Sequence, residues 1–302
     1  MIIDAHAHVF ERISGMSNGQ PISSAEYGTV KTGNTISQFL PASFKNTSST
    51  VEMLLAHMKW GNVEKALLLP NVLYGYHNEY NLKAVNSYPD NFKAMALVDI
   101  IKGRKAAEEL NKLIVNHGFC GLKIEVASAF QCVPAMSMDS EAIEPVWSCC
   151  EDLKLAVAVH PARKDDIRAL KAIIDKYRNI KYIICHFGAE AIFLSGHTKG
   201  GECLVELLDI FANKDNVWMD TSSVPYFFGV EDYPFTRTYM MIKNAYEYLG
   251  PERILWGTDY PGMLMMATYT QLVDFIMKGM GKISDRHLEM IMGGNAFNLF
   301  WS

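Results

Sequence analysis

The chain has 302 residues, of which 49% are hydrophobic and 20% charged, and carries a formal net charge of −5. That balance is globular and large enough to bury one substantial core without staples. It excludes a disordered charged tail and, with no basic run or stripe, a nucleic-acid-binding surface.

The opening Met1-Ile2-Ile3-Asp4-Ala5-His6 has neither a basic n-region nor a long apolar segment, so it is not expected to be a signal peptide. No bilayer-spanning apolar stretch follows. A cytoplasmic location without membrane attachment is therefore the expectation. The six cysteines (Cys120, Cys132, Cys149, Cys150, Cys185 and Cys203) show no C-x-x-C spacing and read as reduced, mostly buried thiols.

The first strand is expected over Ile2–His6 and runs into Asp4-Ala5-His6-Ala7-His8. Residues two apart on an extended strand share a face, so both imidazoles point the same way. Imidazole nitrogen is a good ligand for zinc and similar ions, although an isolated H-x-H equally fits two structural histidines. Residues 9–48, rich in Ser, Gly, Asn and Thr, read as a long loop of the kind that forms lids or binding elements. Ser49-Thr50-Val51-Glu52 then has the form of a capping box opening the first helix.

Seven more strands are expected at Lys65–Pro70, Ala94–Ile100, Gly121–Val126, Leu155–His160, Lys181–His186, Val217–Thr221 and Ile254–Asp259. Each is short, apolar and bounded by turn residues, as strands of a buried parallel sheet are. Helical spacing separates them, as in Ala106, Leu110, Leu113 and Ile114, in Ile167, Leu170, Ile174 and Tyr177, and in Leu204, Leu207, Leu208 and Phe211. A last helix follows Ser284. Eight strand–helix units predict one (β/α)8 TIM barrel domain over residues 1–302. The rival, a doubly wound open sheet, usually carries a glycine-rich turn after its first strand, where this chain has His-Ala-His.

Connections from helix to strand are short. Those from strand to helix (9–48, 127–138, 188–201 and 222–235) are long, which places the catalytic face at the strands' C-terminal ends. His160, His186 and Asp259 end the fifth, sixth and eighth strands there. Closing the eighth strand against the first lets Asp259 reach His6 and His8, and a metal would give that carboxylate a partner. Lys123, in the fourth strand, fits a substrate-carboxylate contact or a counter-ion to Glu125 or Asp259. Arg163, Lys199 and Arg237 lie on the same side. Tyr226, Phe227, Phe228, Tyr233 and Phe235, with Met263, Leu264, Met265 and Met266, suit an apolar pocket wall or a subunit interface. His57, His117 and His287 fall away from the catalytic face, and a structural or solvated role is favoured for His77 and His197 as well.

This ordered set resembles the amidohydrolase superfamily, in the branch that also holds the aromatic-acid and aminocarboxymuconate-semialdehyde decarboxylases. The matching features are Asp4-Ala5-His6-Ala7-His8, the strand-end His160 and His186, Gly257-Thr258-Asp259-Tyr260-Pro261, and Ile291-Met292-Gly293-Gly294-Asn295-Ala296-Phe297-Asn298-Leu299-Phe300; they span essentially the whole chain. The resemblance implies one divalent metal, zinc foremost with manganese or iron as alternatives, held by His6, His8, His160 and Asp259. It implies Asp259 as general base and then acid, and His186 beside the water or substrate. Lys123, Arg163, Tyr226 and Tyr260 become candidate substrate contacts. Some superfamily members carboxylate a fourth-strand lysine to bridge two metals; the branch resembled here favours one.

The expected activity is metal-dependent hydrolysis of a small amide, ester or lactone. Decarboxylation of an aromatic or muconate-type acid at the same site is the alternative. Against it stands His6, where some aromatic-acid decarboxylases of the branch carry glutamate. A non-catalytic ligand-binding barrel would be expected to have lost ligands, and all are present here. The partner is a small molecule, and the branch commonly forms homodimers.

Overall fold

The computed structural model describes residues 1–125, 136–193, 207–227, 231–279, 281 and 283–302. Leu204, His197, Lys199 and Phe228, and parts of the expected loops 127–138, 188–201 and 222–235, lie outside the described residues.

In chain order the strands begin with β1 (Ile3–Ala7), β2 (Ser14–Ser17), β3 (Gln20–Ser24), β4 (Thr29–Thr32) and β5 (Thr35–Gln38). There follow β6 (Lys65–Leu68), β7 (Phe92–Ala94), β8 (Gly121–Glu125), β9 (Ala156–His160), β10 (Lys181–Ile184), β11 (Val217–Asp220) and β12 (Ile254–Leu255). Parallel ladders order these as β1-β6-β7 and as β8-β9-β10-β11-β12. Two seams join the groups into a ring. At one, Ala96 N donates to Gly121 O (2.8 Å) and Lys123 N to Ala96 O (2.9 Å). At the other, Ala5 N donates to Trp256 O (2.9 Å), Asp259 N to His6 O (2.8 Å) and His8 N to Tyr260 O (2.8 Å). The eight expected strands thus form a (β/α)8 barrel.

The sequence reason is burial on both faces. β1, β8 and β9 are buried at every residue, inside by the barrel core and outside by helices. The helix Lys164–Lys176 shows the outer layer: Ile167, Leu170, Ile173 and Ile174 face the barrel while Arg168 and Lys171 face water. Among the described residues, no helix is long and apolar enough to cross a membrane.

Three local expectations shift. The third barrel strand pairs over Phe92–Ala94 and again at Ala96, not through to Ile100. The Asn78 side chain takes both backbone groups of Leu97 (2.9 and 2.7 Å), replacing a strand neighbour there. The first helix, Val51–Gly61, is capped by Thr50, whose hydroxyl accepts from Met53 N at 3.3 Å. Ser49 is instead occupied by backbone pairing with Phe10.

The third shift is the largest. The segment read as a loop, 9–48, contains the antiparallel meander β2-β3-β4-β5. It has an apolar core of its own, in which Phe10, Ile13, Ile22, Val30, Leu40 and Phe44 pack against Val72, Leu73, Tyr74 and Leu97. Ser14 N donates to Tyr74 O (2.8 Å) and Met16 N to Val72 O (3.2 Å), pinning β2 to the chain after β6. Between these bonds sits Gly15, where a Cβ would lie 2.1 Å from Val72 O and 2.3 Å from Leu73 O. Neither backbone oxygen can yield without breaking the anchor. Gly15→Ala is therefore expected to destabilise the protein by about 1–3 kcal/mol, the usual cost of overpacking. An unchanged urea midpoint would show that the meander is not docked this way.

Candidate metal centre and active site

The barrel strands deliver the chemistry to one end. His6 and His8 project from the end of β1, and Asp259 meets them across the closing seam. Asp259 adopts φ 57°, a left-handed conformation costly for most residues but tolerated by Asp. Its backbone N–H, bonded to His6 O, holds it there.

The histidine tautomers follow from their acceptors. His8 Nδ1 lies 2.5 Å from Leu69 O, and a carbonyl can only accept, so Nδ1 carries the proton. His6 Nδ1 lies 3.0 Å from Asp220 Oδ2 and donates in the same way. Both Nε2 atoms then face Asp259 Oδ1, at 2.8 Å from His8 and 3.7 Å from His6. Burial outweighs the Asp259 carboxylate and lowers the pKa of His8 below the ordinary imidazole value. A neutral His8 thus sets a lone pair against a carboxylate oxygen. Donor atoms of His6, His8 and Asp259 lie within 4.8 Å of one another. Two imidazole nitrogens and a carboxylate oxygen suit a divalent ion, and a cation among them would satisfy all three. Acceptors behind Nδ1 are also what metal-ligating histidines need for fixed orientation.

His160 stands outside that group. Its Nδ1 lies 3.4 Å from Glu125 Oε1 and its Nε2 2.6 Å from Glu190 Oε2. Burial opposes its charge, but the two carboxylates outweigh burial and hold the imidazole up at about 9. As a ligand, His160 would first give up that proton.

His186 follows β10 in a turn where His186, Phe187 and Gly188 all have positive φ (56°, 55° and 64°). Asp220 Oδ1 accepts His186 N at 3.0 Å and stabilises the turn. His186 Nδ1 donates to Ser222 O at 2.8 Å, which leaves Nε2 as an acceptor. Burial, reinforced by the charges of His160 and His6, pushes its pKa down to about 3, so this ring is neutral.

The site opens into a cavity of about 450 Å³. Its floor is Glu125, His160, His186, Ser223 and Asp259, and its walls include Phe39, Tyr74, Tyr226, Phe227, Met263 and Met266. Ser37, Gln38 and Phe39, at the end of the meander, supply one side.

The other sequence candidates divide. Tyr226 lines the cavity. Tyr260 does not: it is fully buried, its ring beside His57 and Tyr269. Arg163 turns back to Asp166 (2.6 Å) and Met136 O (3.1 Å), closing the start of its own helix. Arg237 is exposed and pairs with Glu231 at 3.8 Å. His77 Nε2 bonds Tyr74 O, and His287 bonds Tyr246. Lys123 is fully buried beneath the cavity, with Nζ 3.5 Å from Glu125 Oε1. Burial opposes its charge, but Cys185, Glu125 and Asp220 raise its pKa. Its position makes Lys123 a buried counter-ion to Glu125.

Sequence reasoning passed over Asp220, Ser222, Ser223, Asn71 and Glu190. Asp220 had a signal: it ends β11 as His160 ends β9. Burial would raise its pKa, but His6 and a bond from Ser222 hold it below the usual carboxylate range. Ser223 Oγ bonds Asp259 Oδ2, fixing the carboxylate from the side opposite His8.

Residues 3–300 match a family model described as Amidohydrolase. No curated protein sequence matches. Among solved structures, a probable 2-pyrone-4,6-dicarboxylic acid hydrolase from Acinetobacter baumannii superposes with a TM-score of 0.72 at 19% identity, covering 100% of this chain and 99% of that one. An amidohydrolase from Burkholderia multivorans gives 0.74 at 13% identity, over 99% and 98%. The 5-carboxyvanillate decarboxylase from Sphingomonas paucimobilis gives 0.64 at 19%, over 88% and 87%. At such identities the likeness is one of fold.

Proposed function

Since the chain belongs to the amidohydrolase family, we propose that it is a metal-dependent hydrolase of a small amide, ester or lactone. The observation that carries this reading is the convergence of His6 Nε2, His8 Nε2 and Asp259 Oδ1 beside a mostly apolar cavity. Zinc is the favoured ion, with manganese and iron as alternatives. His6, His8 and Asp259 would hold it, with His160 as the fourth ligand; His6 beside Asp220 and His160 between Glu125 and Glu190 would each first release a proton. A divalent ion bound there supplies Lewis acidity, which acidifies water and polarises a carbonyl.

The side chains divide the remaining work. Asp259 takes the proton of the attacking water and returns it to the leaving group. His186, neutral and with Nε2 an acceptor, orients that water by accepting its second O–H. Phe227, edge-on to His160 and tilted against His186, helps exclude bulk solvent from them.

The second reading is decarboxylation at the same site, favoured by the likeness to a structure named as a decarboxylase. Release of CO₂ from hydroxybenzoates or muconate-type acids, with no ester, amide or lactone cleavage, would replace the first reading by the second. For the metal, elemental analysis of purified protein is expected to give one ion per chain. Dialysis against a chelator is expected to abolish turnover, and zinc, manganese or iron(II) to restore it. Full activity of chelator-treated, metal-free protein would sink the metal reading.

A further inference from the structure

Cleavage of an ester, amide or lactone leaves an electron pair on the departing heteroatom. Asp259 supplies that atom with a proton, and a hydrogen-bond donor beside it would hold the charge until the proton arrives. Among the described residues lining the cavity, most N–H and O–H groups are already committed. Asn71 Nδ2 donates to Glu125 (2.9 Å), His186 Nδ1 to Ser222 O (2.8 Å), Gln38 Nε2 to Tyr27 O (2.8 Å) and Ser223 Oγ to Asp259. Both nitrogens of His160 face carboxylates. Ser37 and Tyr226 are exposed. The donor set deep enough to serve the reacting atoms is Tyr74, from the turn after β6.

Tyr74 is 6% exposed, with its ring stacked on Phe10 (centroids 4.6 Å apart) and 4.9 Å from the ring of His8. Its carbonyl accepts from Ser14 N at 2.8 Å and lies 2.9 Å from His77 Nε2, so ring and backbone are both held. The hydroxyl end borders open space. The point a Cβ on Gly262 would occupy lies 3.6 Å from Tyr74 Oη and 4.0 Å from Asp259 Oδ2, and no other described atom outside Gly262's own stretch of chain comes within 4 Å. Gly262 lines the cavity, and the Asp259 side chain is 19% exposed to it. The missing side chain thus leaves a notch with a phenol O–H on one side and a carboxylate oxygen on the other. An alcohol or amine carries the complementary pair: a lone pair for Tyr74 and an O–H or N–H for Asp259, whose Oδ2 can accept a bond besides that from Ser223.

We propose that the notch over Gly262 is the leaving-group subsite, and that Tyr74 is a further catalytic residue that donates its O–H to the departing oxygen or nitrogen. The water oxygen adds to the carbonyl carbon, and one water proton passes to Asp259. The carbon–heteroatom bond then breaks, its electron pair stays on the heteroatom, and the proton on Asp259 follows it. Tyr74 keeps its own proton throughout. This rests on the hydrolase reading for the bond broken but not for the alcohol bound.

Two variants test it. Tyr74→Phe keeps the stacked ring, and Gly262→Ala adds a methyl that meets only ordinary contacts at a φ outside the left-handed region, so both are expected to fold. Kinetics of the metal-loaded protein compare benzyl acetate, whose alkoxide needs help to leave, with 4-nitrophenyl acetate, whose phenolate does not. Tyr74→Phe is expected to lower kcat/KM about 10²-fold for the first and less than about threefold for the second, the cost of one such donor. A merely structural role would slow both alike. Titration calorimetry with benzyl alcohol reads the subsite without turnover: binding is expected to weaken by about three- to tenfold in Tyr74→Phe, one neutral hydrogen bond, and at least as much in Gly262→Ala. Equal losses on the two esters, no loss on either, no binding of benzyl alcohol to the wild type, or unchanged binding in both variants overturns the proposal. If the wild type cleaves neither ester while both variants weaken benzyl alcohol, the hydrolase reading falls for esters and the alcohol subsite stands.

Discussion

Asp259→Asn is expected to lower kcat/KM by about 10³-fold or more while leaving the fold intact. A positioned general base alone is worth roughly 10²–10⁴, and here the same carboxylate is also a proposed ligand. The amide keeps the shape and accepts the bond from Ser223 Oγ through its carbonyl oxygen. Asparagine is also among the few residues that tolerate the 57° φ of this position. Loss of folding is therefore not the expected cause of lost activity. Circular dichroism melting, bound-metal content and steady-state kinetics on one preparation separate the effects. A variant retaining more than a tenth of wild-type kcat/KM would remove Asp259 from the mechanism.

Asp220→Asn should act more indirectly. Asp220 touches neither cavity nor proposed ion, yet it takes His6 Nδ1–H on one oxygen. On the other it takes the backbone N–H groups of His186 and Ser222 and the Ser222 hydroxyl. It therefore sets the ring orientation of a proposed ligand and the turn that carries a proposed water-orienting residue. Removing its charge makes His6 a weaker donor to metal, and loss of such a partner typically costs 10–100-fold in affinity. Competition with a chromogenic chelator measures this directly. The expected result is a metal Kd about 10–100-fold higher, with kcat per bound ion also reduced through His186. A Kd within twofold of wild type would leave Asp220 a purely structural residue.

The strands were legible because burial on both faces writes continuous apolar runs, and their ends were legible because turn residues punctuate them. His6, His8 and Asp259 could be placed together before any coordinates, since barrel closure forces the eighth strand against the first. His160 shows where that logic stops. A strand end fixes which face of the barrel a side chain serves, but not which neighbour it meets. Glu190, which approaches it, comes from a helix that sequence spacing does not aim. Arg163 was misassigned for a related reason: a capping contact with Asp166, three residues on, captures it before it can reach the cavity. The meander was invisible because its strands have four or five residues and are mostly polar, so their Ser, Gly and Thr content resembles a loop. Only the docking of Ile13, Ile22 and Val30 under Tyr74 gives them a buried face.

That meander separates two design variables. The proposed reacting groups stand on barrel strands and their immediate turns, whereas Ser37, Gln38 and Phe39 reach the cavity from an insertion with its own core. Shape at the mouth can therefore diverge between homologues, or be exchanged in the laboratory as a cassette, without resetting the positions of the histidines and aspartates below. A chimera exchanging residues 14–38 would probe substrate range with the proposed reacting groups held constant, and library mutagenesis confined to β5 is the economical place to begin.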